Sequence, residues 1–337
     1  MKAWRFTDGF GPEHLKIVEL PDPVAGPGEA VVRVRACSLN YRDVAVMRGA
    51  YGGSVRAPLI PLSDGAGEVI QVGPGVTRVK PGDRVAAIFM QQWLEGPPDD
   101  AKANSALGGA IDGMMAEKVC LHADGLVQYP AHLSFEDAAT LPCAAVTAWH
   151  ALFRSGGLKP GESVLLQGSG GVSVFALQFA KMAGARVIIT SSSDAKLERL
   201  RAMRADEGIN YKTTPEWDKP VRQLTKGVGV DHVVEVGGAS TLARSFGAIR
   251  VGGKISVIGV LTGYATELDS ALILARRVNV QGISGGSMQM FTAMARAIAL
   301  SSIKPVIDRV FAFSDLPAAC RYMASGGHFG KIVIRVA

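Results

Sequence analysis

Residues 30–39, AVVRVRACSL, alternate small or apolar side chains with arginines at a period of two, the pattern of a half-buried β-strand. GAGEVIQVG (65–73) and DRVAAIF (83–89) are further strand candidates. Between them GPGV (73–76) and KPGD (80–83) place the Pro and Gly that tight turns require. The first ~120 residues are therefore expected to be β-rich. Residues 91–113 show little periodicity and much Pro, Gly and Asp, which predicts a long surface loop of the binding-loop or lid kind. From about residue 145 the pattern changes. SVLLQ (163–167) leads through a glycine-rich turn into the amphipathic stretch GVSVFALQFAKMAG. RVIIT (186–190) precedes DAKLERLRAMR, and DHVVEV (231–236) and KISVIGV (254–260) follow. Continuous apolar strands alternating with helices predict an α/β fold with a parallel sheet covered on both faces. The tail, from VIDRVFAF to GKIVIRV, returns to strand, helix, strand.

A chain of 337 residues is too long for one hydrophobic core, so two domains are expected. With 48% hydrophobic and 20% charged residues it has ordinary globular composition, and no apolar run approaches the ~20 residues of a membrane helix. The start, MKAWRFTDGFG, has no apolar segment leading to a small-residue cleavage site, and the four cysteines are scattered. Together these favour a reducing, cytoplasmic setting. The net charge of +6 is spread along the chain without a basic stripe interleaved with aromatics, which argues against nucleic acid and for a modest positive potential around an anionic ligand.

QGSGGVS (167–173) follows a buried strand and opens a helix, where a dinucleotide fingerprint belongs. Gly168 permits the tight turn and Gly170 lets the backbone approach a pyrophosphate. The cradle is Gly168, Ser169, Gly170, Gly171 and Val172, facing the charge with helix N–H groups. Ser173 stands where a third glycine is usual. The next strand ends not in the acid that would hold both ribose hydroxyls of NAD but in Thr190, Ser191, Ser192 and Ser193, followed by Lys196 and Arg199. Hydroxyls plus a cation suit a 2′-phosphate, so NADP(H) is expected in preference to NAD(H). Asp194 is nearby but reads as a helix cap.

The order of features resembles the medium-chain dehydrogenase/reductase superfamily, the alcohol dehydrogenase and quinone reductase group. The residues that carry the resemblance are PLSDGAGEV (61–69), VKPGDRV (79–85), LPCAAVTAWHAL (141–152), the glycine turn, INY (209–211), GGKISVIG (252–259) and HFGKIVI (328–334). It implies a GroES-like substrate domain from residues 1–127 and 287–337 and a Rossmann domain from 128–286. Nicotinamide and substrate would meet in the cleft between them. Zinc-dependent members have a ligand Cys where this chain has Asn40 and a His–Glu pair where it has Ser63 and Asp64. Cys143 matches a later ligand cysteine but stands almost alone, and residues 91–113 contain none of the four cysteines of a structural zinc lobe. Three ligands from Cys, His and carboxylate are usual at catalytic zinc, so no zinc is expected.

Without a Lewis acid, the expected acceptors are those needing less activation: a quinone, or the β-carbon of an α,β-unsaturated carbonyl. An alcohol or aldehyde dehydrogenase, or an inert nucleotide-binding scaffold, are the alternatives. LNYRDV (39–44) is similar to the LNFRDV-type segment of enoyl reductases, which makes Asn40 and Tyr41 candidate donors to the acceptor oxygen, with Tyr41 alternatively a packing phenol. Asp43 is expected to orient this substrate-facing loop through Arg42 or the backbone. The resemblance further implies Thr147 near the nicotinamide and Tyr211 near the adenosine. Gly237, Gly259, Val260 and Leu261 end strands of the parallel sheet, beyond whose carboxyl ends a cofactor would bind. Ser284, Gly285 and Gly286 resemble the family's nicotinamide-side loop, with glycine flexibility the alternative, and Lys331 is a ligand of a cofactor phosphate or a solvated strand-end lysine. Phe89 and Trp93 are pocket candidates, and Arg204 occupies a turn position where the family has glycine. A homodimer or tetramer formed through RRVNVQGIS (276–284), with a small-molecule substrate and no membrane or nucleic-acid partner, completes the expectation.

Overall fold

The computed structural model describes residues 1–49 and 55–336, arranged in two compact units, Met1–Val146 with Gly285–Ala337 and Thr147–Ser284. In the first unit β1 (Lys2–Phe6) and β2 (Leu15–Glu19) form an antiparallel ribbon. β3 (Glu29–Leu39), β4 (Asp64–Val72), β5 (Arg84–Ala87), β6 (Lys118–His122) and β7 (Leu126–Gln128) follow. The second unit holds β8 (Ser163–Gln167), β9 (Arg186–Ser191), β10 (Glu207–Asn210), β11 (Val230–Glu235), β12 (Ile249–Val257) and β13 (Asn279–Gly282). The chain then returns to the first unit for β14 (Ile307–Ala312) and β15 (Lys331–Arg335).

β3 organises the first unit. It pairs antiparallel with β4, β6 and β15, in a sheet ordered β14-β15-β3-β4-β5-β7 with β6 added on β3. β3 is buried along most of its length instead of alternating cleanly as the sequence predicts, because the helices Phe135–Ala139 and Leu316–Ala324 pack on it in addition to its strand neighbours. Phe6, Leu39, Leu62, Leu107, Ile332 and Ile334 belong to the core of this unit. Each such fully buried large side chain contributes about 2 kcal/mol of transfer free energy.

Residues 91–113 are the expected surface loop over 94–104, around the short helix Asp100–Ala103, and reach solvent again at Ile111 and Asp112. Trp93 and residues 105–109 depart from that expectation, being buried. The segment is tied down by bridges of Met90 to Ala106 and Leu107 to Ile111. Its apolar residues lack a period because each fills a separate gap, so the pocket candidates Phe89 and Trp93 are core residues. Residues 128–146 pack with the first unit, so the boundary lies at Val146/Thr147 where the sequence suggested one near 128.

The six strands of the second unit are all parallel, in the order β10-β9-β8-β11-β12-β13. The order reverses between β8 and β11, and ligands of such sheets bind beyond the carboxyl ends at that switch point. Leu165, Ile188, Val233, Phe246 and Ile255 form a core here. The sequence-predicted GroES-like and Rossmann-type architecture is thus present, an α/β chain with one mixed and one parallel sheet. No described helix is long and apolar enough to cross a membrane.

Candidate active site

Three strand ends meet at one corner of the first sheet. In the β15–β3 register Ile332 lies opposite Leu39, which brings Lys331 beside Asn40, and in the β3–β4 register Ser38 lies opposite Asp64. Residues 37–43, CSLNYRD, are therefore not a loop, as the sequence suggested, but the end of a strand and the first turn of the helix Tyr41–Met47. Asn40 is the extended residue before that helix. Its N–H donates to Asp43 Oδ2 (2.7 Å), while Arg42 Nη1 donates to Asp43 Oδ1 (3.2 Å) and to the Leu107 carbonyl (3.0 Å). A carboxylate three residues into a helix that reaches back to the preceding N–H is half of a capping box, so Asp43 orients the turn, as expected from sequence. Tyr41, by contrast, is 42% exposed at the first helical position, and Asn40 only 8%. The two side chains do not share a surface.

Asn40 lies in a buried polar cluster. The Lys331 ammonium donates to the Leu39 carbonyl (2.7 Å) and to Asn40 Oδ1 (2.6 Å), and lies 3.7 Å from Asp64 Oδ2. Asn40 Nδ2 donates to Ser63 Oγ (3.4 Å), and Ser63 Oγ donates to Asp64 Oδ1 (3.1 Å). Asp64 is wholly buried and Lys331 is 2% exposed. The lysine expected at a cofactor phosphate is thus committed to Asn40 and Asp64. The reason is topological: β15 pairs with the strand that ends in Asn40, a contact across 291 positions of sequence.

Burial raises both carboxyls of the cluster. Asp43 is pushed up to about 6 by desolvation, with Arg42 opposing and Asp64 adding to the rise. Asp64 is raised by desolvation against the pull of Lys331. Cys143, in a π-helical turn (Leu141–Ala145) packed against β4, is pushed up to about 12 by burial and by the charge of Asp64. Cys37 is a packed strand residue whose thiol donates to the Met114 carbonyl.

The positions that hold zinc in zinc-dependent relatives therefore do come together as Asn40, Ser63, Asp64 and Cys143, but their chemistry does not fit the ion. The Asn40 oxygen and Asp64 already face a fixed cation, and Asn40 and Ser63 offer a neutral amide and a hydroxyl in place of a thiolate and an imidazole, leaving Cys143 the one soft donor among the four. Among the described residues no group of three His, Cys, Asp or Glu side chains converges.

In the second unit, β8 ends in the glycine turn. Gly168 has φ +72° with open space where a Cβ would stand, and its N–H donates to the Thr190 carbonyl. Gly170 is the extended residue before the 12-residue helix Gly171–Met182, and no side chain caps it. The first-turn N–H groups of Gly171, Val172 and Ser173 are thus left for a ligand beyond the strand end, beside Ser169. Ser173 Oγ donates to the Gln167 carbonyl (2.6 Å), so the serine replacing a glycine ties helix to strand and keeps the turn compact. These residues fit a dinucleotide pyrophosphate.

Beyond β9, Ser191 is buried, Ser192 and Lys196 are half-buried, and Ser193 Oγ accepts from the Lys196 N–H. Ser193 is the helix cap and Asp194 the first helical residue, its carboxylate accepting from Asn210 Nδ2 (2.9 Å), which corrects the expected cap. Tyr211 is 40% exposed and donates its N–H to the Ser191 carbonyl. Arg204 adopts φ +74°, the left-handed geometry expected of the family's glycine.

Sequence reasoning missed the residue at the switch point. Glu235, at the end of β11, is fully buried. It accepts from Gln167 Nε2, the Gly237 and Gly238 N–H groups, Thr241 Oγ1 and Ser245 Oγ, fixing the turn after β11 against the end of β8. An acid directly after the apolar pair Val233–Val234, at the carboxyl end of a strand of the parallel sheet, was the available signal. Gly259 approaches so closely that a Cβ would lie 2.2 Å from the Val236 carbonyl oxygen; a half-buried Val260 and an exposed Leu261 follow. Ser284 is exposed at the end of this unit, whereas Gly285 and Gly286 are buried in the first. Thr147 is buried in the helical stretch 141–155.

Comparison with known proteins agrees with this architecture. Residues 26–131 match the alcohol dehydrogenase GroES-like domain and residues 171–300 the zinc-binding dehydrogenase domain. A zinc-type alcohol dehydrogenase-like protein of Schizosaccharomyces pombe is 46% identical over 97% of this chain and 96% of its own. The crystal structure of a putative alcohol dehydrogenase from Sinorhizobium meliloti superposes with a TM-score of 0.94 at 41% identity, covering 99% of this chain and 98% of that one. Crotonyl-CoA reductase of Streptomyces avermitilis is 32% identical over 95% of this chain and 81% of the relative.

Proposed function

Because the chain belongs to the medium-chain dehydrogenase/reductase superfamily and is an oxidoreductase of that group, we propose that it is an NADPH-dependent, metal-free reductase of a quinone or of the C=C bond of an α,β-unsaturated carbonyl compound. The observation that carries this reading is Lys331 standing among the would-be metal ligands. With no Lewis acid there, an aldehyde carbonyl lacks its usual activation, whereas an enone or quinone needs only hydrogen bonds to the oxygen that gains charge. The crotonyl-CoA reductase relative supports an enoyl acceptor. NADP(H), when bound, supplies the hydride.

The chain's own contribution is positional. The glycine turn and uncapped helix receive the pyrophosphate, and Ser191, Ser192 and Lys196 receive the 2′-phosphate. Asn40 Nδ2 donates to the acceptor oxygen. The half-exposed Tyr41 remains the second candidate donor. The likeness to a zinc-type alcohol dehydrogenase-like protein favours alcohol–aldehyde interconversion as the second reading.

Stopped-flow assays with NADPH against quinones, enones, enoyl thioesters and aldehydes separate the two. Rapid reduction of a quinone or activated alkene is expected, and aldehyde reduction with the others inert would refute the proposal. For the cofactor, Lys196→Ala is expected to raise the Kd for NADPH at least ~10-fold while NADH changes little, on the scale of one charge-assisted contact. Equal weakening of both would remove the 2′-phosphate role.

A further inference from the structure

The Lys331 ammonium has three protons and no acceptor capacity. Two of them are used on the Leu39 carbonyl and Asn40 Oδ1, and the charge lies 3.7 Å from the buried Asp64 Oδ2, which has no hydrogen-bond partner. A carboxamide can turn over and exchange its oxygen for its NH2 group, but a cation tolerates only the oxygen. Lys331 therefore fixes which end of Asn40 faces inward. The opposite end, Nδ2, carries two protons, contacts Ser63 Oγ at a long 3.4 Å and also lies against the Asp64 carboxylate, which it helps to keep charged. Neither contact is a short hydrogen bond, so a better-placed acceptor can take a proton of Nδ2.

We propose that Lys331 is a positioning residue, a tethered cation standing in for the metal among Asn40, Ser63, Asp64 and Cys143, which by holding the Asn40 amide oxygen presents Nδ2 as the donor to the acceptor oxygen. The proposal rests on the function proposed above and adds its electrostatic logic. A metal would bind the substrate oxygen directly; the lysine cannot, because its protons are turned to the protein. It acts one bond removed, polarising the amide so that its N–H bonds become better donors as charge builds on the acceptor. Asp64 balances the ammonium in the buried corner, and the fixed geometry means no side chain has to reorganise when hydride arrives.

Removing the ammonium should therefore slow the chemical step more than binding. Lys331→Met is expected to lower kcat ~100-fold, the scale of a lost oxyanion donor, with KM within ~3-fold of wild type. Lys331→Arg, which can still donate to the amide oxygen, should recover most of the loss. Asn40→Asp keeps an acceptor for Lys331 but has no Nδ2, so it should lose kcat comparably. Combining it with Lys331→Met should cost little more, because both act through one donor. Multiplying losses, or an unchanged kcat in Lys331→Met, would overturn the proposal.

If Lys331→Met does not fold because Asp64 is left uncompensated, Lys331→Met/Asp64→Asn removes both charges. Wild-type kcat in that folded variant would equally overturn it. Selective 15N-asparagine labelling gives a readout that needs no acceptor. The Asn40 side-chain amide should show a distinctive resonance pair in wild type and Lys331→Arg that shifts or averages in Lys331→Met/Asp64→Asn. That response in a protein that reduces neither quinones nor enones would sink the proposed reaction while leaving the clamp standing. An indifferent resonance would sink the clamp whatever the substrate.

Discussion

At the scale of single residues, the buried corner carries its own pH dependence. Burial pushes the Asp43 carboxyl up to about 6 in the folded chain, from an ordinary 3.8, with Arg42, Asp64 and Lys331 as the charged groups around it. A group whose folded pKa is raised contributes stability that is complete below its unfolded pKa and is lost as pH rises through the folded one. The contribution of Asp43 should thus disappear between about pH 4 and pH 6, an effect of about 3 kcal/mol on the scale of 1.36 kcal/mol per unit. Asp43→Asn removes that titration. Its stability relative to wild type should become more favourable by up to that amount from pH 4 to pH 7.5, as measured by urea unfolding. An offset that does not vary with pH would show that Asp43 titrates normally. The strand up to Leu39 and the hold of Asp43 on the following turn were legible in the sequence, whereas the helix that begins at Tyr41 was read as a loop and Asn40 was singled out through the family resemblance. Lys331 was not legible: it reads as a phosphate ligand or a solvated strand-end lysine until the β15–β3 pairing is known.

At the scale of elements, the strands and helices of the second unit follow closely from hydrophobic period, since each is a short apolar run or an amphipathic turn sequence. What the period cannot show is how strand ends are wired to one another. Glu235 collects five donors from three segments, and Glu235→Gln would set an NH2 group against some of them. A loss of about 2–4 kcal/mol is expected from unsatisfied buried groups, read as a lower denaturation midpoint. Weaker NADPH binding should accompany it, because the turn after β11 loses its anchor. Unchanged stability would mean that the network is not engaged. β13 tests another element. All four of its residues are exposed, among the described residues it pairs only with β12, and Leu274 on the preceding helix is 80% exposed. An uncovered strand edge beside exposed apolar side chains favours pairing with another strand, which supports the expected homodimer. Light scattering should give a dimer mass for the wild type and a monomer mass for Val280→Lys; a monomeric wild type refutes it.

For the whole molecule, the change of texture near residue 145 foretold two units and the family resemblance their kinds. The boundary moved because residues 128–146 carry helical sequence that nevertheless packs with the first sheet. The burial of Trp93 and of residues 105–109 within that surface segment was hidden for a similar reason: nonperiodic apolar residues fill gaps that only the assembled sheet defines. The metal question is also settled at this scale, by analysis of purified protein. Zinc well below one per chain is expected, with activity unaffected by chelators. One tightly held zinc per chain would contradict the donor chemistry of Asn40, Asp64 and Cys143.

The closing of the first sheet by β15 also imposes an order on the protein's birth. Residues 147–284 are contiguous and can assemble as soon as they leave the ribosome, but Asp64 and Asn40 wait for a lysine translated much later. Until then Asp64 lacks the ammonium and has Arg42 as the remaining cation near it, and the Ala36–Leu39 end of β3 is a strand edge open to other chains. A message truncated before codon 331 should therefore yield a product with a competent dinucleotide unit and a defective, aggregation-prone first unit, a substrate for quality control and not a partial enzyme.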